Sequence, residues 1–130
     1  MDLKKRLEII ARADRIEPMR WGIGQSFWDG LCEVFAAHPT IEAVVLFGSR
    51  ARGTQRKGSD VDLCVFGREF SFDDRLAVMD QIDDLWWPYH VDIIHWESSR
   101  SPEWRQEVRL DAQLVYQRSC SAELPPQLTA

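Results

Sequence analysis

Two aspartates one residue apart, Asp60 and Asp62, open an apolar run, Leu63-Cys64-Val65-Phe66. Alternate side chains of a strand share a face, so both carboxylates leave one side of this segment, while Val61, Leu63 and Val65 leave the other. Like charges held so close are unfavourable unless a proton or a cation compensates them. A hard divalent ion with oxygen ligands, such as Mg²⁺, suits that pair. A third carboxylate, Asp92, lies inside a separate apolar segment running from His90 to Trp96, and no other acidic residue is placed to complete the site from a neighbouring strand.

With ten residues between it and Asp60, Gly48-Ser49 breaks another apolar run. A glycine directly after a strand lets the backbone turn sharply and lets a phosphate approach it. The N–H groups that follow, and the Ser49 hydroxyl, then face phosphate oxygens. Arg50 and Arg52 add charge suited to a triphosphate or a leaving pyrophosphate, and Gly53 ends the short helix they occupy. Ser59, next to Asp60, reads first as a turn former and second as a nucleotide contact. His90 and His95 have no partner pattern and are expected to be structural. Asp73 and Asp74 are expected to be capping charges in the first turn of a helix, where the dipole favours anions.

These residues need strands and turns to hold them. Met1 to Ala13 has the spacing of a helix, with Leu3, Leu7 and Ile10 on one face. Pro18 to Gly24 reads as a loop, and a second helix is predicted from Ser26, as N-cap, to Ala37. His38-Pro39 stops it, because the residue before proline avoids the helical region. Ile41 to Phe47 reads as a strand buried on both faces, and Asp60 to Phe66 as its successor. A Ser71-capped helix follows, with Phe72, Leu76, Met79, Ile82 and Trp86 at helical spacing, and Pro88 ends it. His90 to Trp96 is a third strand. Ser101-Pro102 begins a helix that ends near Asp111, and Gln113 to Tyr116 is a short last strand. Of the tryptophans, Trp86, Trp87 and Trp96 are expected in the core or an interface.

The composition is that of an ordinary globular chain: 130 residues, 45% hydrophobic and 28% charged. This length predicts a single domain over 1–130, with the motif-bearing core at about 41–116 and a helical N-terminal extension at about 1–38. A net charge of −5 disfavours a general nucleic-acid binder. Cys32, Cys64 and Cys120 have no metal-like spacing and read as free thiols in a reducing compartment. With no apolar run long enough for a membrane span, and no signal-peptide pattern, a cytoplasmic protein is expected.

The combined pattern, Gly48-Ser49-Arg50-Ala51-Arg52-Gly53 followed by Ser59-Asp60-Val61-Asp62-Leu63, closely resembles the signature of the DNA polymerase β-like nucleotidyltransferase superfamily, and its minimal nucleotidyltransferase branch in particular. The resemblance implies an α/β (α+β) fold with a small, mixed, twisted sheet flanked by helices. It implies transfer of a nucleoside monophosphate from a triphosphate, with ATP as donor, to an acceptor hydroxyl. Asp60 and Asp62 would each bind Mg²⁺ (two ions in all), Asp92 would bind the catalytic one and help activate the acceptor, and Gly48 and Ser49 would hold the β- and γ-phosphates.

The branch also implies a partner. Its small stand-alone members act as antitoxins of HEPN-domain RNases, silencing them by adding AMP to a tyrosine. The brevity of the chain and its acidic charge agree with a protein acceptor, in a homo- or hetero-oligomer. Two alternatives stay open at this point: a small-molecule transferase of the aminoglycoside-modifying kind, and a non-catalytic antitoxin that occludes its partner.

Overall fold

The computed structural model of the chain describes residues 19–56 and 58–118, together with Pro125 and Leu128. The predicted N-terminal helix and most of the tail, including Cys120, lie outside the described residues.

The first described segment is a miniature hairpin, β1 (Met19–Arg20) paired with β2 (Ile23–Gly24). Sequence reading expects a loop here. The difference lies in the turn: Trp21 and Gly22 both have positive φ (54° and 79°), the backbone of a two-residue hairpin turn. Packing holds Trp21 in place, with its ring edge-on to Trp28 at 5.2 Å and the Arg20 guanidinium 4.4 Å over its face. Helix α1 (Gln25–Ala36) follows directly. Its N-cap is Gly24, which has no side chain to cap with, so Ser26 sits inside the first turn and not at the cap as predicted.

The main sheet has four strands in the order β5–β4–β3–β6. Strand β3 (Ala43–Phe47) is buried along its whole length. It pairs antiparallel with β4 (Val61–Phe66) on one side and with β6 (Gln113–Gln117) on the other. Strand β5 (Val91–His95) pairs parallel with β4. Between β3 and β4 lies the one-turn helix α2 (Ser49–Arg52), between β4 and β5 helix α3 (Phe72–Asp83), and before β6 helix α4 (Pro102–Asp111).

Alternation divides the core into two layers. Val44, Leu46, Val61, Leu63, Val65 and Ile93 face α1 and α3, meeting Phe27, Trp28, Leu31, Phe35, Val78 and Ile82. Val45, Phe47, Cys64 and Phe66 face the other way, toward Trp96 and Val108, with Trp104 of α4 packed against them. Each of the large side chains removed from water contributes about 1.5–3 kcal/mol, which makes this two-sided strand pair the rigid frame of the molecule.

Helix α3 turns inward only part of the stripe its apolar spacing predicts, Met79 and Ile82, with Val78 beside them. Val78 and Ile82 are buried, but Phe72, Leu76 and Trp86 are exposed (67%, 49% and 56%). Arg75 is the reason on one side: its Nε donates to the Ile93 carbonyl at 2.9 Å, which turns the 75–78–82 line toward the sheet. Ser71 and Asp74 close a capping box at the helix start, with Asp74 also accepting from the Thr40 hydroxyl at 2.9 Å. At α4 the predicted start is in place, with Ser101 accepting from Trp104 N and Pro102 at the first position. Trp96 is buried in the core layer and Trp87 packs edge-on to Phe27. Cys32 and Cys64 are free thiols, and no helix among the described residues is long and apolar enough to cross a membrane.

Candidate active site

Strand directions decide which ends meet. Because β3 and β4 are antiparallel, the end of β3 lies beside the start of β4, and Phe47 pairs with Asp62. Because β4 and β5 are parallel, the start of β5 lies at that same end, and Asp62 pairs with Asp92. The turn at Gly48-Ser49, the Asp60-Val61-Asp62 segment and Asp92 therefore converge on one end of the sheet, although they span 45 positions of sequence.

Gly48 stands at the turn with φ 81° and ψ −160°, a backbone region that is open almost only to glycine. It is also packed closely. A Cβ at this position would stand 2.4 Å from Asp62 Oδ2, so the Asp62 carboxylate lies directly against the glycine. Ser49 begins α2, where the first N–H groups have no intrahelical acceptor. Phosphate groups held at this turn would thus touch a carboxylate-bearing wall.

Asp62 is half-buried, and burial pushes its carboxyl above the ordinary carboxylate value. The negative charges of Asp92, Asp60 and Glu107 add to the rise, and Arg52 opposes it. That cation is already engaged: Arg52 Nη1 lies 2.6 Å from Asp111 Oδ2 and 3.8 Å from Glu107 Oε1 of α4. A cluster of carboxylates in this state calls for further positive charge, and its oxygen donors fit Mg²⁺. Asp60, Asp62 and Asp92 are the residues that would hold it.

Arg50 departs from its expected role. It is only 4% exposed, and its donors are committed to main-chain carbonyls: Nε and Nη2 to Ser59 O at 3.2 and 2.9 Å, and Nη1 to Trp21 O at 3.1 Å. The guanidinium also lies 5.4 Å from the Tyr89 ring centroid. Arg50 thus ties the hairpin turn to the residue before Asp60. Ser59 is a turn former, its hydroxyl accepting from Arg56 N at 2.8 Å. An Arg50→Met variant is expected to lose about 3 kcal/mol, because two half-buried carbonyls lose a charged donor. Urea unfolding measures this, and a midpoint unchanged from wild type would remove Arg50 from the positioning role.

The two histidines separate. His95 is structural as expected: Nε2 contacts Gly67 O (2.7 Å) and Glu97 Oε2 (3.0 Å), and its ring packs on Phe70. His90 stands instead at the carboxylate end of the sheet: its Nε2 lies 3.1 Å from Asp92 Oδ1, and Asp60, His90 and Asp92 each place a ligand atom within 4.8 Å of the others. The signal was available in the sequence, since His90-Val91-Asp92 repeats on β5 the alternation of Asp60-Val61-Asp62 on β4.

Comparison with known proteins agrees with this geometry. Residues 30–121 match the family model described as polymerase beta, nucleotidyltransferase. The chain is 32% identical over 85 residues, 63% of its own length and 72% of the relative's, to a protein of Haemophilus influenzae named as a probable protein adenylyltransferase, MntA. Its fold matches one from a crystal structure of a toxin–antitoxin complex with AMP-PNP (TM-score 0.59, 21% identity, covering 69% of this chain and 73% of that one). A second match comes from the complex of a tri-AMPylated Shewanella oneidensis HEPN toxin with its MNT antitoxin (TM-score 0.55, 17% identity, 72% and 71% covered). At these identities the two structures speak for the fold.

Proposed function

The chain belongs to the polymerase β nucleotidyltransferase family, and we propose that it transfers AMP from ATP to a tyrosine hydroxyl of a HEPN-type toxin, as the antitoxin of that pair. The observation that carries this reading is the register of the sheet: Asp62 paired with Asp92, Asp60 one step before, and the Gly48 turn against Asp62. The adenylyltransferase relative and the toxin–antitoxin folds support the choice of donor and acceptor.

In this reading the Gly48-Ser49 turn holds the β- and γ-phosphates through backbone N–H groups and the Ser49 hydroxyl. The acceptor oxygen bonds to the α-phosphorus, the bond from that phosphorus to the bridging oxygen breaks, and pyrophosphate leaves with the electron pair. Asp92, on the outer strand of the site, accepts the hydroxyl proton. Mg²⁺, when bound by the aspartates, supplies charge to the attacking and leaving oxygens. Asp62, pressed against the glycine turn, keeps the carboxylates and the phosphates in one fixed relation. Arg52, paired with Asp111 and Glu107 and itself partly exposed, adds positive charge toward the pyrophosphate from that position. The free thiols of Cys32 and Cys64 fit a reducing cytoplasm, and the whole chain acts as one domain.

Incubation with ATP, Mg²⁺ and a cognate HEPN-type protein is expected to add AMP to that protein, seen by mass spectrometry. An unmodified partner, together with Asp60→Ala and Asp62→Ala chains that still neutralise it, would replace transfer by occlusion. Transfer to an aminoglycoside instead would replace the acceptor. ATP with Mg²⁺ is expected to raise the melting temperature by preferential binding to the folded state. Asp60→Asn should lose most of that rise. Asp73→Asn, at the start of α3 and away from the carboxylate end, should keep it; equal loss in both would count against the site.

A further inference from the structure

His90 stands in the site without a part in the reaction just described. Its side chain is 68% exposed, so packing does not explain its place. An exposed imidazole–carboxylate contact adds little to stability, so stability does not explain it either. What is specific is the geometry: Nε2 is 3.1 Å from Asp92 Oδ1, and one ligand atom each from Asp60, His90 and Asp92 fall within 4.8 Å of one another. Two donors at about 2.1 Å from one ion stand about 3 Å apart at right angles and about 4.2 Å apart when opposite. The three ligand atoms lie close enough that small rotations of these solvent-facing side chains bring them to one ion.

We propose that His90 is a metal ligand, forming with Asp60 and Asp92 a mixed nitrogen–oxygen position that favours a divalent first-row transition ion over Mg²⁺. The proposal rests on the two-ion reading above and goes beyond it, because it makes the centre chemically asymmetric. The Asp62 side, against the Gly48 turn, is oxygen-only and suits Mg²⁺ with phosphate. The Asp92 side carries an imidazole, a donor that Mg²⁺ accepts poorly and that transition ions accept well. The acceptor would then meet the position whose ion is set by His90.

Mn²⁺ tests this directly on the nucleotide-free chain. Pulsed electron paramagnetic resonance of the Mn²⁺-loaded protein is expected to show coupling to a directly bonded ¹⁴N. In His90→Ala the ion should remain bound through the aspartates, the ¹⁴N coupling should vanish, and the preference for Mn²⁺ over Mg²⁺ in competition titrations should fall about tenfold. The exposed position of His90 means that its loss should leave the melting temperature of the metal-free chain unchanged. Absent ¹⁴N coupling in the Mn²⁺-loaded wild type, or coupling that survives in His90→Ala, overturns the proposal. It leaves the transferase reading standing so long as Asp60→Asn abolishes Mn²⁺ binding. Mn²⁺ bound equally well by wild type, Asp60→Asn and Asp62→Asn overturns both.

Discussion

An Asp62→Asn chain is expected to transfer AMP at least about 10³-fold more slowly than wild type, yet to melt at a higher temperature in the absence of nucleotide and metal. The first half follows from position. Asp62 joins the phosphate turn to the other carboxylates, and the charge it contributes to the reacting centre is worth several kcal/mol, at about 1.4 kcal/mol per tenfold in rate. The second half follows from its proton affinity. Burial, then Asp92, Asp60 and Glu107, hold the folded carboxyl above its ordinary value. Just above that ordinary value the folded chain therefore binds more protons than the unfolded chain. Stability falls as pH rises through the window up to the raised folded value, and the penalty persists at neutral pH. Asparagine keeps the shape and removes the charge. The pair of measurements is steady-state transfer and thermal unfolding at pH 7. A slower variant that is also less stable would mean that Asp62 supports the fold, and the site assignment would need another residue.

Gly48→Ala is expected to damage stability and catalysis together. Its φ of 81° with ψ −160° costs an alanine about 1–3 kcal/mol. The new Cβ would also fall 2.4 Å from Asp62 Oδ2, and relief by backbone or carboxylate displacement adds about 1–3 kcal/mol. Loss of about 2–6 kcal/mol is a large part of the stability of a small domain. Gly53→Ala is the matched control. Gly53 also has positive φ (76°), but nothing lies within 4 Å of its added Cβ, so only the backbone penalty of about 1 kcal/mol applies. Urea unfolding of both variants, with ATP binding to each, separates strain from contact. Equal losses at the two glycines would show that the closeness of Asp62 has no consequence.

Much of this site could be read from residue order. The breaking of an apolar run into Gly48-Ser49, and the alternation in Asp60-Val61-Asp62, are local signals, and local signals survive without a structure. Asp92 was legible for a related reason, as a lone charge inside an apolar strand. Three features were not. Arg50 lies beside Gly48 and Ser49 in sequence but turns to carbonyls of Trp21 and Ser59, and only tertiary packing places Trp21 there. His90 carried the same alternation as the aspartates but has an ambiguous chemistry, since an imidazole in a strand serves a core as readily as an ion. The face of α3 was read only in part, at Met79 and Ile82, because apolar spacing at Phe72, Leu76 and Trp86 competes with one hydrogen bond, Arg75 to Ile93 O, that no periodicity reveals. The hairpin at Trp21-Gly22 shows the same limit, since the edge-on packing of Trp21 against Trp28 is a feature of the folded chain and not of residue order.

The parallel pairing of β4 with β5 has a consequence in time. Gly48 and Asp62 sit on antiparallel neighbours joined by a short connection, so their meeting closes a small loop. Asp92 reaches Asp62 only after α3 has crossed over and the ladder from Val61–Val91 to Val65–His95 has aligned. Contacts of such sequence separation form late, and a slip of one residue in the ladder would turn Asp92 to the opposite face. During synthesis the nascent chain can therefore carry a finished phosphate turn while its chemistry is still switched off. The last carboxylate arrives with β5 at the far side of the crossover, so activity reports that this parallel ladder has closed.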